Sequence, residues 1–255
     1  MPKRMLTPKD VMEEVINAGV AKANKPALSL FLLGILAGGF IAFGATGAII
    51  MGALFKDPGM AKFMGAAVFP VGLMLVIVAG AELFTGNNLM TLALLDKRIG
   101  IKGLLKNWSI VFLGNFVGSL VIALLIYKGN VLGGATAEKA IAIATKKASL
   151  AFDVAIYKAI LCNILVVLAV WIATAAKDIT SKLLACWFPV MLFVLSGYEH
   201  SIANIFFLYV GKFYGASISA GDIWISNLLP VTIGNLIGGA IIIPAKYYAI
   251  FRNKG

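Results

Sequence analysis

Charge is what this chain is short of. Only 13% of its 255 residues are Asp, Glu, Lys or Arg, and its mean hydropathy is +0.96. A soluble domain carries about 25% charged residues, so the composition excludes one and places the chain in a lipid bilayer. Histidine is nearly absent: His200 is the only one. That excludes bis-histidine haem ligation, and neither a zinc set nor a serine-nucleophile constellation is present. No cofactor and no enzymatic activity are expected. The two cysteines, Cys162 and Cys186, lie in apolar runs. They form neither a disulfide framework nor a metal-ligand spacing, and read as small buried residues. Acids are scarcer still, 11 against 22 basic residues, for a net charge of +11. In a membrane protein such an excess belongs to cytoplasmic loops and anionic lipid, not to nucleic acid. Residues 1 to 27 are polar and mixed in charge, unlike a cleavable signal peptide.

What the chain has in abundance is long uncharged runs. Four are clean: Lys25 to Lys56, Lys106 to Lys128, Lys158 to Lys177, and Asp222 to Lys246. Each is long enough for a bilayer, which takes about 17–25 helical residues. Two more are interrupted, Lys62 to Asp96 by Glu82, and Lys182 to Lys212 by Glu199 and His200. The expectation is an all-α membrane protein of six transmembrane helices, the second and fifth broken.

With both termini inside, 14 of the 22 basic residues fall on the cytoplasmic side. The positive-inside rule therefore favours a multi-pass protein of the cell membrane with both termini cytoplasmic. The basic surplus between Lys128 and Lys158 runs against the rule. Residues 1–26 read as an amphipathic cytoplasmic helix ahead of a channel domain, 27–255. Thr7 is its N-cap, Pro8 its first helical residue and Asp10 its capping-box partner, with Val11, Val15 and Ala18 on one face.

The two halves correspond. "AELFTGNNL" places Glu82 five residues before Asn87, and "YEHSIANIF" places Glu199 five before Asn204. "GNFVG" (114 to 118) and "GNLIG" (234 to 238) follow in the third and sixth spans. Three spans per half require halves of opposite orientation, about 27–128 and 155–251, an arrangement in which the site lies where broken helices meet. Gly34 and Gly38, Gly114 and Gly118, and Gly234 and Gly238 have the spacing that lets helices approach closely. Asn115 and Asn235 are amides in hydrocarbon and need partners, from backbone or from a passing ion.

"GAELFTGN" (80 to 87), "GNFVG", "LCNILVVLAVW" (161 to 171), "GYEHSIAN" (197 to 204) and "LLPVTIGNLIGG" (228 to 239) together resemble the formate/nitrite transporter family. The resemblance covers about residues 7 to 252, and its short loops are similar to the hydrosulfide channel branch. It implies an aquaporin-like protomer, a homopentamer with one pore per protomer, and passive or proton-linked movement of small monovalent anions such as hydrosulfide, formate or nitrite. By the same resemblance Leu83, Phe84 and Thr85 form a loop at the cytoplasmic constriction, and Phe69, Leu73 and Phe193 narrow the pore. His200 is the pore histidine and Glu199 its acidic neighbour. Asn163 and Asn235 are polar pore residues, and Lys147, or Lys146 beside it, is the basic residue at the outer mouth. Family members carry bulky or polar side chains where this chain has Gly86 and Asn87.

The chemistry agrees with the resemblance. A naked anion in hydrocarbon costs many kcal/mol. Mouth lysines concentrate anions, helix ends at a break offer N–H groups, and an imidazole at mid-membrane can give a weak-acid anion a proton or a hydrogen bond. Formate, nitrite and hydrosulfide are weak-acid anions; chloride is not. Glu82, Glu199 and Asn204 read as supports, the carboxylates accepting from exposed N–H groups of the breaks. Thr85 either touches the ion or caps the helix beyond the break. Two rivals remain: a cation-coupled secondary transporter using Glu82 and Glu199, and a neutral-solute channel of aquaporin type, although no Asn-Pro-Ala pair is present.

Overall fold

The computed structural model describes residues 5–252. The basic residues Lys3, Arg4 and Lys254, counted for orientation above, lie outside the described residues. The fold is helical, and the described residues hold no strand beyond a single bridge between Met5 and Ala176.

Helix α1, Pro8–Asn24, starts where the capping box predicts. The Thr7 hydroxyl accepts from Asp10 N at 3.3 Å, and the Asp10 carboxylate accepts from Thr7 N and Oγ1. Its buried face is Val11, Met12, Val15, Ile16 and Gly19, packed on Leu89, Leu92, Ala93, Val167, Trp171 and Ile243. Ala18, expected on that face, is exposed and borders a cavity instead. Beyond it come α2 (Ala27–Leu54), α3 (Pro58–Gly80), a short α4 (Thr91–Leu95) and α5 (Ile101–Lys128). The second half repeats the order with α6 (Ala135–Ala148), α7 (Phe152–Ala175), α8 (Ile179–Ser196), α9 (Ser201–Phe213) and α10 (Asp222–Phe251).

Six of these, α2, α3, α5, α7, α8 and α10, are long and apolar enough to cross a membrane. Helix α3 stops at Gly80, and helical backbone resumes with a 3-10 turn at Gly86; α8 stops at Ser196, and α9 begins at Ser201. The runs ahead of the two stops are 23 and 18 residues long. Both stops end on a left-handed glycine, Gly80 at φ 85° and Gly197 at φ 70°. Only glycine takes that conformation without a Cβ penalty, which is why it closes helices.

Small residues bring α2 against α5 and α7 against α10. A Cβ on Gly118 would strike the Ile35 carbonyl, and one on Gly238 the Ile160 carbonyl. Such backbone-to-backbone approach is how helices associate where lipid removes the hydrophobic driving force. At one end, Glu13 of α1 pairs with Arg98 (2.7 Å) and Arg252 (3.2 Å), and Arg252 also pairs with Asp96 (2.7 Å). These ion pairs join the chain's beginning to its end.

Candidate functional site

The two helix stops meet. Thr85 Oγ1, in the first, lies 2.7 Å from His200 Nε2, in the second, and both residues are buried. His200 also caps α9, its Nδ1 accepting from Ala203 N at 3.1 Å. An acceptor Nδ1 carries no proton, so the proton of the neutral ring sits on Nε2 and is donated to Thr85 Oγ1. The tautomer is thus assigned from its hydrogen bonds. A second proton on Nδ1 would set two N–H groups against each other and cost α9 its cap. Thr85 uses its hydroxyl here and not as a helix cap.

Each stop is pinned by an asparagine from a neighbouring span, in the same way. Asn115 Nδ2 donates to Gly34 O (2.8 Å) and Glu82 O (2.9 Å), while its Oδ1 accepts from Phe84 N (2.9 Å). Asn235 Nδ2 donates to Ala159 O (2.8 Å) and Glu199 O (3.0 Å), while its Oδ1 accepts from Ser201 N (2.9 Å). Backbone groups freed by ending a helix are satisfied by these amides.

The carboxylates do not take up the N–H groups of the breaks, as the sequence had suggested; each accepts from lysine and asparagine side chains. Glu82 accepts from Lys22 Nζ (2.6 Å), Lys25 Nζ (2.9 Å) and Asn87 Nδ2 (2.8 Å), and Asn87 also donates to Asn107 Oδ1 (2.9 Å). Glu199 accepts from Lys147 Nζ (2.8 Å) and Asn204 Nδ2 (2.6 Å), and Asn204 also donates to Asn227 Oδ1 (2.8 Å). Lys22 is thereby the counterpart of Lys147, and α1 the counterpart of α6. Burial draws the Lys22 ammonium below the usual lysine value, a pull that Glu82 opposes.

Three cavities lie in series. The one on the α1 side, about 90 Å³, is lined by Lys22, Asn87, Leu73, Val76 and Leu83 among others. The one on the α6 side, about 290 Å³, is lined by Lys62, Lys146, Lys147, Lys158, Phe69, Phe193, His200 and Asn204 among others. Between them a chamber of about 10 Å³ is walled by Ile41, Phe69, Leu73, Leu83, Val166, Val190, Phe193 and His200, room for about one water. Leu73 and Leu83 are shared with the α1-side cavity, and Phe69, Phe193 and His200 with the α6-side cavity. The Phe69 and Phe193 rings meet edge to face at 5.7 Å, and Phe193 stacks on His200 at 5.8 Å.

Phe69, Leu73, Leu83, Phe193, His200 and Lys147 therefore gather along one line. Asn163 and Asn235 do not border the three cavities: Asn235 holds a break, and Asn163 Nδ2 donates to Asn88 Oδ1 and Asn235 O, both at 2.7 Å. Sequence reasoning missed Lys22, Lys25, Asn107 and Asn227. The signal for the last two was present. Each precedes the asparagine of its Gly-Asn motif by about two helical turns.

Six apolar helices around a buried polar junction with an apolar chamber define a multi-pass membrane transport protein. Comparison with known proteins places it further. The model of the formate/nitrite transporter family matches residues 9–249, and the chain belongs to that family. A protein described as a probable formate transporter of Methanothermobacter thermautotrophicus is 39% identical over 97% of this chain and 98% of its own. A solved structure described as an FNT family ion channel matches at TM-score 0.88 and 31% identity, covering 94% of this chain and 98% of that one. Another, a pentameric formate channel with formate bound, matches at TM-score 0.77 and 30% identity, covering 89% and 98%.

Proposed function

We propose that this protein is a channel for small monovalent weak-acid anions, formate foremost, with nitrite and hydrosulfide as further cargo. It works as a homopentamer in the cell membrane, both termini cytoplasmic, the α1-side cavity facing the cytoplasm and the α6-side cavity outward. The observation that carries this reading is the contact of Thr85 with His200 beside an apolar chamber between two lysine-bearing cavities. A formate anion passes Lys147 on one side or Lys22 on the other. At the edge of the chamber it accepts the Nε2–H of His200 in place of Thr85 Oγ1, takes a proton from the bath, and crosses between Phe69, Phe193, Leu73 and Leu83 as the neutral acid, the imidazole keeping its own proton. A neutral molecule avoids the desolvation cost that stops a bare ion. Formate enters from the description of the pentameric structural relative and of the transporter from Methanothermobacter.

Ion pairing counts against the cation-coupled rival. Glu82 and Glu199 are already neutralised by Lys22, Lys25 and Lys147, which leaves neither of them free for sodium. The test is flux into proteoliposomes of formate, nitrite, hydrosulfide and chloride. The weak-acid anions are expected to pass at least about tenfold faster than chloride, as a difference of about 1.4 kcal/mol in barrier gives. Equal chloride flux, or formate flux that requires a sodium gradient, would overturn the proposal.

A further inference from the structure

The two cavities differ in charge although the networks behind them match. On the α1 side, Lys22 and Lys25 both bind Glu82, and Lys22 is the one basic residue lining the cavity. On the α6 side, four lysines line the cavity, and one of them, Lys147, is taken by Glu199. Lys62, Lys146 and Lys158 form no salt bridge among the described residues. They come from three elements, α3, α6 and α7, so their charges surround the space. Lys158 is placed there by the break itself, its carbonyl accepting from Glu199 N at 3.4 Å.

Resting on the reading of this cavity as the mouth of an anion path, we infer that it is a binding site for doubly charged oxyanions, sulfate being the simplest. They seat among Lys62, Lys146 and Lys158 and close the path from that face alone. Three uncompensated charges over the low-dielectric walls of Phe69, Phe193 and Phe207 attract a dianion far more than a monoanion. At about 290 Å³ the cavity has room for a tetrahedral oxyanion and water, where the chamber beyond has room for about one water. The dianion cannot go on. One added proton leaves it charged, and the chamber beyond holds about 10 Å³. The α1-side cavity is smaller, and its lining lysine is already paired, so it offers no such seat.

The test is formate uptake by the full-length protein in right-side-out and in inverted membrane vesicles. Sodium sulfate on the entry side is compared with sodium gluconate at equal ionic strength. Sulfate at the α6 face is expected to slow uptake about fivefold or more at low salt, an effect that shrinks as sodium chloride is raised past the screening range. Sulfate at the other face is expected to change it less than about twofold, as a weak surface attraction would. Lys62→Gln with Lys158→Gln should retain uptake at saturating formate and lose most of the sulfate sensitivity. Equal inhibition from both faces, or a double variant as sensitive as the parent, would overturn the inference. If the double variant does not assemble, Lys62→Gln and Lys158→Gln singly serve, each expected to weaken the block severalfold. Absence of formate uptake by the parent without sulfate would instead overturn the proposed function.

Discussion

Lys147 Nζ lies 2.8 Å from Glu199 Oε2, with 14% and 6% of the two side chains exposed. Nothing else of positive charge pairs with Glu199 among the described residues, whereas Glu82 has both Lys22 and Lys25. Removing one member of a buried pair leaves an uncompensated charge, which costs about 3–5 kcal/mol. Lys147→Ala is therefore expected to destabilise the detergent-solubilised protein by about 3 kcal/mol. Lys25→Ala, removing a side chain 37% exposed from a carboxylate that keeps Lys22, should cost no more than about 1 kcal/mol. Thermal unfolding of the two variants checks the difference, and equal losses would show that the networks are not balanced as described.

The Thr85 hydroxyl is the acceptor for the His200 Nε2–H at 2.7 Å. Thr85→Val keeps the shape and leaves that buried donor unsatisfied, at about 1–3 kcal/mol. Formate flux through Thr85→Val should fall about tenfold, as about 1.4 kcal/mol implies, and Thr85→Ser should restore most of it. A Val variant as fast as the parent would show that the Thr85–His200 contact does not govern flux.

Gly238→Ala should destabilise the protein by about 1–3 kcal/mol, because the new methyl meets the Ile160 carbonyl, a backbone group that cannot turn aside. Gly133→Ala, where an added Cβ meets nothing within 4 Å, is the control. Unfolding midpoints of the two in detergent give the comparison, and equal midpoints would contradict close packing of α7 on α10.

Asp178 caps α8, accepting from Ser181 N at 2.9 Å and Ser181 Oγ at 2.7 Å. These hydrogen bonds, first the one from Ser181 N–H, hold its carboxyl below the ordinary value of 3.8. A lowered folded value means that the carboxylate's contribution is complete above the unfolded value near 3.8, and is lost as pH falls through the lower folded value. Asp178→Asn, which caps without ionising, should remove this component of acid sensitivity while keeping stability at neutral pH. Midpoints measured from pH 7 down to about pH 3 test it.

Much of this architecture is visible in the residues alone. Runs without charge mark all six apolar helices, since few charges are tolerated in oil. The spacing of Glu82 to Asn87 and of Glu199 to Asn204 reveals the repeat, because each pair forms one hydrogen bond, at 2.8 Å and 2.6 Å. Other features are invisible at that level. Lys22 meets Glu82 across 60 positions, and nothing local distinguishes it from its solvated neighbours. Asn163 is a polar pore residue by the family resemblance alone, and its Nδ2 donates to Asn88 Oδ1 and a backbone carbonyl. Whether a buried amide faces backbone or cargo depends on how helices rotate against each other, and close packing at glycines decides that only in three dimensions.

The proposed path turns on the His200 imidazole, which makes an anion tolerable at the apolar chamber. The most direct measurement is formate flux across a pH series for the parent and for His200→Asn in the same liposomes. Parent flux is expected to rise as the bath is acidified, and the variant's flux to be independent of pH. A variant with the parent's pH profile would contradict it.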